Sequence, residues 1–157
     1  MRVITGSARG KSLVTVPGND IVRPTSEKVK EALFSSIQFD IEGRRVLDLF
    51  AGSGQLGIEA LSRGAESAVF VDRSDDSLGA VRKNLENTGL TDKAEVYKSD
   101  YATFALRYSK QFDIAFLDPP YKAGLLEDAV QKIIPLMSDY GKIFCEHPCE
   151  LKMPESI

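Results

Sequence analysis

Val46-Leu47-Asp48-Leu49-Phe50-Ala51-Gly52-Ser53-Gly54-Gln55-Leu56-Gly57 runs from an apolar stretch through a glycine turn into residues with helical apolar spacing, Leu56, Ile58 and Leu61. It reads as strand, turn and helix. Gly52 and Gly54 let the backbone approach a ligand closely, and Gly57 allows the helix to pack tightly on a sheet. A Gly-x-Gly-x-x-Gly turn is a weak signal by itself. The chain downstream decides the fold by repeating the alternation. Strands are predicted at Val46–Phe50, Ala68–Val71, Ala94–Lys98, Ile114–Leu117 and Lys142–Cys145, with helices near 55–63, 75–88, 101–108 and 125–136 between them. That is the pattern of a doubly wound, Rossmann-like α/β sheet. Ligands bind such sheets outside the carboxyl ends of the strands, where the strand order reverses. Asp48 to Gly54, Asp72, Asp100 and Asp118 all fall at those ends.

Upstream, Arg2-Val3-Ile4 and Ser12-Leu13-Val14-Thr15-Val16 are predicted as two short β segments joined by a turn between Gly6 and Gly10. They form a hairpin arm, residues 1–22, expected to stand outside the main domain of residues 23–157. Thr25 or Ser26 is then placed to cap a helix carrying Val29, Ala32, Leu33 and Ile37 on one face. Charge is divided unevenly. Residues 1–30 hold six basic side chains (Arg2, Arg9, Lys11, Arg23, Lys28, Lys30) against Asp20 and Glu27, although the whole chain carries a net charge of -3. A basic end on an acidic body suits contact with RNA or DNA through the arm, and a solvated face explains it equally well.

At 157 residues and 43% hydrophobic, the chain is expected to fold alone as one domain around a sizeable core. It has no run of about 18 apolar residues and no signal-peptide core at Met1-Arg2-Val3-Ile4-Thr5-Gly6. A cytoplasmic monomer is expected, and Cys145 and Cys149 are expected as reduced thiols. Cys145, His147 and Cys149 alternate, but no fourth ligand accompanies them and Pro148 interrupts the strand, so no metal site is assigned. The tyrosines Tyr97, Tyr101, Tyr108 and Tyr140 read as packing residues.

The acids at the strand ends discriminate between cofactors. A carboxylate at Asp72, with Arg73 beside it, lies about 20 residues past the turn, where it can accept both ribose hydroxyls of NAD or of S-adenosylmethionine. Asp48 is suited to the ammonium of a methionine moiety and ill suited to a pyrophosphate. Asp100, flanked by Ser99 and Tyr101, is placed to accept from an adenine amino group. Three carboxylates repel an anionic dinucleotide and attract a sulfonium and an ammonium, so S-adenosylmethionine is favoured. Phe50, Ala51, Gly52 and Gly54 complete the expected cofactor contacts.

The apolar run Phe112-Asp113-Ile114-Ala115-Phe116-Leu117 empties into Asp118-Pro119-Pro120-Tyr121. Neither proline donates a backbone N–H and both fix φ, which leaves the carbonyls of Asp118 and Pro119 free to accept. A carboxylate, such carbonyls and a tyrosine ring can grip an exocyclic amino group and stack on the ring that bears it. The tetrad alone does not choose guanine from adenine, or RNA from DNA.

Arg23-Pro24-Thr25, Lys30-Glu31-Ala32-Leu33-Phe34, Asp48 to Gly54, Glu59-Ala60-Leu61-Ser62-Arg63-Gly64-Ala65 and the tetrad together resemble the RsmD-type bacterial rRNA methyltransferases. These are class I S-adenosylmethionine-dependent enzymes that methylate a guanine N2 of 16S rRNA, and the likeness runs through Glu146. It implies a seven-stranded sheet, with small ribosomal subunits as substrate. It also implies that Asp48, Gly52 and Gly54 line the methionine end, Asp72 the ribose, Asp100 the adenine and the tetrad the base. Arg2, Arg9, Lys11, Arg23, Thr25 and Lys122 are the expected RNA contacts. The sequence departs from the family pattern after the fifth strand: the last two strands are not seen before Ile157, and an exposed edge strand is expected. Three rival readings are an adenine-N6 DNA methyltransferase, an idle RNA-binding or ribosome-assembly module, and a nicotinamide oxidoreductase in which the tetrad has no role.

Overall fold

The computed structural model describes residues 1–16, 26–119 and 123–145. Its strands are β1 (Arg45–Leu49), β2 (Ser67–Asp72), β3 (Ala94–Lys98), β4 (Phe112–Leu117) and β5 (Met137–Cys145). They alternate with α1 (Ser26–Ser36), α2 (Gln55–Ser62), α3 (Asp75–Thr88), α4 (Tyr101–Arg107) and α5 (Leu125–Ile133). All pairings are parallel, in the order β3-β2-β1-β4-β5. The order reverses between β1 and β4, so the crevice outside their carboxyl ends is the place for a ligand.

Both faces of the sheet are covered, which is why β1, β2 and β4 read as near-continuous apolar runs rather than alternating ones. On one face α1, α2 and α3 bring Phe34, Ile37, Ile58, Leu61, Val81 and Leu85 against Val46, Phe70, Ile114 and Phe116. On the other, α4 and α5 bring Phe104, Leu126, Ala129, Val130 and Ile133 against Leu47, Leu49, Val69 and Ala115.

Several elements differ from their sequence readings. The buried stripe of α1 runs through Lys30 and Phe34 to Ile37 just past its end, while Val29 is 40% exposed and Ala32 is exposed as well. A charged residue thus occupies a position the apolar pattern assigned to its neighbours. Phe50 lies beyond β1 in the left-handed region, φ 64°, and not in the strand. The helix predicted to 136 ends at Ile133 and tightens into a 3-10 turn over Ile134–Leu136, because Pro135 has no N–H to continue the ladder. Strand β5 starts earlier than predicted. Its register against β4 jumps from Phe112↔Met137 to Ile114↔Lys142, and the polar residues Ser138, Asp139 and Tyr140 in the irregular stretch mask the strand in the sequence. Tyr140 is 94% exposed, in contrast to Tyr97 and Tyr108, which join Phe104 and Phe112 in one aromatic cluster. Among the described residues β5 pairs only with β4, leaving it at the edge of the sheet.

The largest correction concerns residues 1–16. Their β pairing shrinks to a single antiparallel bridge, Arg2↔Ser12, and the segment does not stand apart. Val3, Ala8 and Leu13 are buried in the same core as Phe34 and Ile58. The segment lies along the outer side of α2: Ser7 N–H donates to the Ser62 carbonyl at 2.8 Å, Ala8 N–H to Ser62 Oγ at 2.9 Å, and Ser62 Oγ to the Thr5 carbonyl at 2.7 Å. The approach is so close that a Cβ at Gly6 would lie 1.9 Å from the Ser62 carbonyl oxygen. Helix α2 is therefore buried on all sides from Gly57 to Ser62, so that even its polar residues Glu59 and Ser62 lie inside.

Glu59, the acid in that apolar helix, fastens the cover. Its carboxylate accepts from Ile4 N–H at 2.9 Å, Thr5 N–H at 3.0 Å and Arg63 Nε at 2.8 Å, and faces Lys30 Nζ at 3.5 Å. Lys30 Nζ also donates to the Arg2 carbonyl at 2.8 Å. Both Glu59 and Lys30 are buried. Glu59→Ala removes the carboxylate facing a buried ammonium and is expected to cost about 3–5 kcal/mol in urea unfolding, with fast amide exchange appearing at Ile4 and Thr5.

Candidate active site at the strand-order reversal

The loop after β1 is held in shape by its neighbours' polar groups. Ala51 N–H donates to the Val71 carbonyl at 2.9 Å, Gly54 N–H to the Ala51 carbonyl at 2.8 Å, and Gly52 N–H to Asp72 Oδ2 at 2.9 Å. The other Asp72 oxygen accepts from Ser74 N–H at 2.9 Å, so one carboxylate staples the loops after β1 and β2 together. Gly54 sits at φ 82°, which disfavours any side chain there. A Cβ at Gly57 would lie 2.4 Å from the Phe70 ring, which fixes how closely α2 lies on the sheet.

Asp48 is buried on β1 and accepts from Gly57 N–H at 3.0 Å through Oδ2. Burial pushes its pKa well above the usual carboxylate range, the Gly57 hydrogen bond pulls it down, and the nearby carboxylates of Asp118 and Asp72 push it further up. Among the described residues no basic side chain forms an ion pair with it. A buried acid beside other acids favours a cationic ligand over a pyrophosphate.

Asp100 caps α4, accepting from Thr103 N–H at 2.7 Å and Thr103 Oγ1 at 2.9 Å, and these bonds hold its pKa below the usual value. Tyr101 follows it, with its ring 5.6 Å from that of Phe50 and its hydroxyl donating to Asp128. Across the crevice, half-buried Asp118 and Pro119 follow β4. Asp118 opens into a cavity of about 440 Å³ between α1, the start of α2 and the ends of β4 and β5, walled by Leu33, Leu56, Phe116 and Phe144.

A family model described as conserved hypothetical protein 95 matches residues 1–157. Ribosomal RNA small subunit methyltransferase D of Escherichia coli (strain K12) is 35% identical over 156 residues, covering 98% of this chain and 78% of that protein. The chain belongs to the RsmD family. Within the family it is 43% identical over 166 residues to YlbH of Bacillus subtilis (strain 168), covering 100% of this chain and 88% of its relative. The solved structure of yhhF from Escherichia coli matches with a TM-score of 0.87 and 34% identity, over 99% of this chain and 86% of that one. Membership makes this RsmD-family sheet a class I methyltransferase fold.

The sequence-predicted cofactor residues Asp48, Phe50, Ala51, Gly52, Gly54, Asp72, Asp100 and Tyr101 lie at or just after the carboxyl ends of β1, β2 and β3, linked by the Gly52–Asp72 and Ser99–Asp72 hydrogen bonds and the Phe50–Tyr101 ring contact, and Arg73 is exposed beside Asp72. Arg2, Arg9 and Lys11 are exposed on the segment covering α2. Pro120, Tyr121, Lys122, Arg23, Thr25, His147 and Cys149 lie outside the described residues. Sequence reading missed Asn84, a fully buried residue of α3. Its Nδ2 donates to the carbonyls of Ser53 at 2.9 Å and Val14 at 3.0 Å, and its Oδ1 accepts from Val14 N–H at 2.7 Å. It therefore ties the glycine turn to the N-terminal segment. A lone amide beside Val81 and Leu85 on a helical face does not by itself announce this role in the sequence.

Because the Asp48 pKa is raised on folding, the stability it contributes is present below the ordinary carboxylate pKa and is lost as pH rises through the raised value. Asp48→Asn keeps an acceptor for Gly57 and removes the titration. It is expected to raise the Tm of the ligand-free protein at neutral pH by about 2–4 °C for each kcal/mol recovered, and to flatten the Tm profile between pH 4 and pH 8, measured by thermal melts at about one-unit intervals.

Proposed function

We propose that this chain transfers a methyl group from S-adenosylmethionine to the exocyclic N2 of a guanine in 16S rRNA, acting on the small ribosomal subunit as a cytoplasmic monomer. One observation carries the reading: an amino-gripping Asp118-Pro119 pair lies across the strand-order reversal from a cation-seeking Asp48, in a family whose members include ribosomal RNA small subunit methyltransferase D. S-adenosylmethionine, when bound, supplies an electrophilic methyl carried on a sulfonium. The donor set fits it. Asp48 offers a buried carboxylate to the cationic methionine end, Gly52 and Gly54 admit it without side chains in the way, and Asp72 and Asp100 keep lone pairs for ribose hydroxyls and the adenine amine.

The difficulty for the chain is the acceptor nitrogen, whose lone pair is delocalised into the guanine ring. The Asp118 carboxylate and the Pro119 carbonyl accept its two N–H hydrogens, which favours the pyramidal form and aims the lone pair at the methyl. The same two acceptors stabilise the positive charge that develops on nitrogen. Proton loss afterwards is easy, because the methylated ammonium is acidic. Asp118 thus serves chiefly to orient and to stabilise charge. Tyr121 stacks on the extruded base, a contact worth roughly 1–3 kcal/mol. Arg2, Arg9, Lys11, Arg23, Thr25 and Lys122 hold phosphates, positioning RNA without reading its sequence.

The test is transfer of tritiated methyl to small subunits from a strain lacking the modification, with naked 16S rRNA and duplex DNA as controls. Label is expected in small-subunit rRNA, at guanine N2 after nuclease digestion. Label confined to DNA would overturn the proposal. Asp118→Ala is expected to lower kcat by about 100- to 1000-fold while leaving the cofactor Kd within about twofold by calorimetry, since a transition-state contact is lost and the cofactor's own contacts are kept. Wild-type turnover in that variant would remove Asp118 from the mechanism.

A further inference from the structure

Gln55, the first residue of α2, is half-buried and lines the cavity that Asp118 opens into. Its Oε1 is fully shielded and, among the described residues, is the one buried side-chain nitrogen or oxygen with no hydrogen-bond partner. Neither Asp48 nor the glycines Gly52 and Gly54 line this cavity. On the proposed reaction the methionine end of the cofactor lies with those residues, which leaves this cavity for the acceptor base. An unmet buried acceptor is unfavourable, so a donor arriving with the ligand gains more there than at a solvated position.

We infer that Gln55 is a specificity-determining residue, its side chain turning toward the cavity so that the carboxamide oxygen accepts the ring N1–H of guanine while Asp118 holds the neighbouring N2 amine. This rests on the proposed reaction and adds to it the means of choosing the base. Guanine places two donors side by side, N2–H and N1–H, whereas adenine places its amino donor beside an N1 lone pair. With the amine on Asp118, the next atom of guanine meets Gln55 Oε1 as a donor. The next atom of adenine would set lone pair against lone pair. The apolar walls, Leu56, Phe116 and Phe144 among them, give this contact the low-dielectric setting in which a mismatched polar pair costs most.

The test uses Gln55→Leu, with Gln55→Met as a second near-isosteric variant. Substrates are small subunits reconstituted with 16S rRNA carrying either guanine or 2-aminopurine at the methylated position. 2-Aminopurine keeps the N2 amine but presents a lone pair at N1. Both variants are expected to lose roughly 10- to 100-fold in kcat/KM on guanine with little loss on 2-aminopurine, at unchanged cofactor Kd. The guanine preference then shrinks by that factor, and comparing proteins cancels the intrinsic reactivities of the bases. Removing the unmet acceptor is also expected to raise the Tm of the ligand-free protein by about 2–4 °C. Equal losses on both bases, an unchanged preference, a weakened cofactor Kd or a lowered Tm would each overturn the role. A wild-type protein that binds cofactor yet methylates neither RNA would overturn the proposed reaction as well, a result distinct from any of these.

Discussion

The carboxylate of Glu59 is the contact on which the geometry of this molecule rests. It is fully buried and gathers donors from the N-terminal segment, from its own helix and from α1. A buried ion pair seldom adds much net stability, because desolvation offsets attraction. Its effect here is to fix positions. Lys30 anchors α1, which supplies the Val29 and Leu33 side of the cavity. Arg63, the other cation on Glu59, lies 4.8 Å above the Phe34 ring, and Phe34 packs at 5.5 Å on Phe116, two residues before Asp118. A continuous path of contacts thus joins one buried charge to the residue proposed to hold the base.

The three acids along the proposed cofactor rim show how one residue type is given three tasks by its surroundings. Asp72 spends its oxygens on backbone N–H groups and shapes a loop. Asp100 caps a helix, and hydrogen bonding favours its charge. Asp48 is buried with a single backbone donor, so its charge is disfavoured until something positive arrives. Only the last is poised to gain from a cationic ligand, which makes it the acid whose ionisation and ligand binding are thermodynamically linked.

The sheet was legible because buried parallel strands write themselves as apolar runs, and because Asp48, Asp72, Asp100 and Asp118 sit where such runs stop. Helices α2 and α3 were legible to within a residue or two from the same contrast. What the sequence hid were positions where a tertiary partner overrides the local pattern. Lys30 faces the core because Glu59 waits there, and Val29 yields its place. Residues 1–16 look like a free hairpin because alternation reports only that one side is apolar, not that the side lies on α2. Gln55 and Asn84 carry no local signature, since a lone amide becomes informative only when the burial and partners of its atoms are known.

The cover over α2 has a consequence for synthesis. Residues 1–16 leave the ribosome well before their hydrogen-bond partners, which lie 54 to 70 positions downstream, at Glu59, Ser62 and Asn84. Until those positions emerge, Val3, Leu13 and Val16 lack the core they pack against in the folded protein, and the nascent chain carries a sticky segment while the next 54 to 70 residues are made. Closing long loops late is slow and leaves apolar surface open to wrong partners. The polar and basic side chains interleaved there, Arg2, Arg9 and Lys11, keep the waiting segment soluble. The same residues that are proposed to meet RNA in the finished protein therefore guard this segment while the chain is still growing.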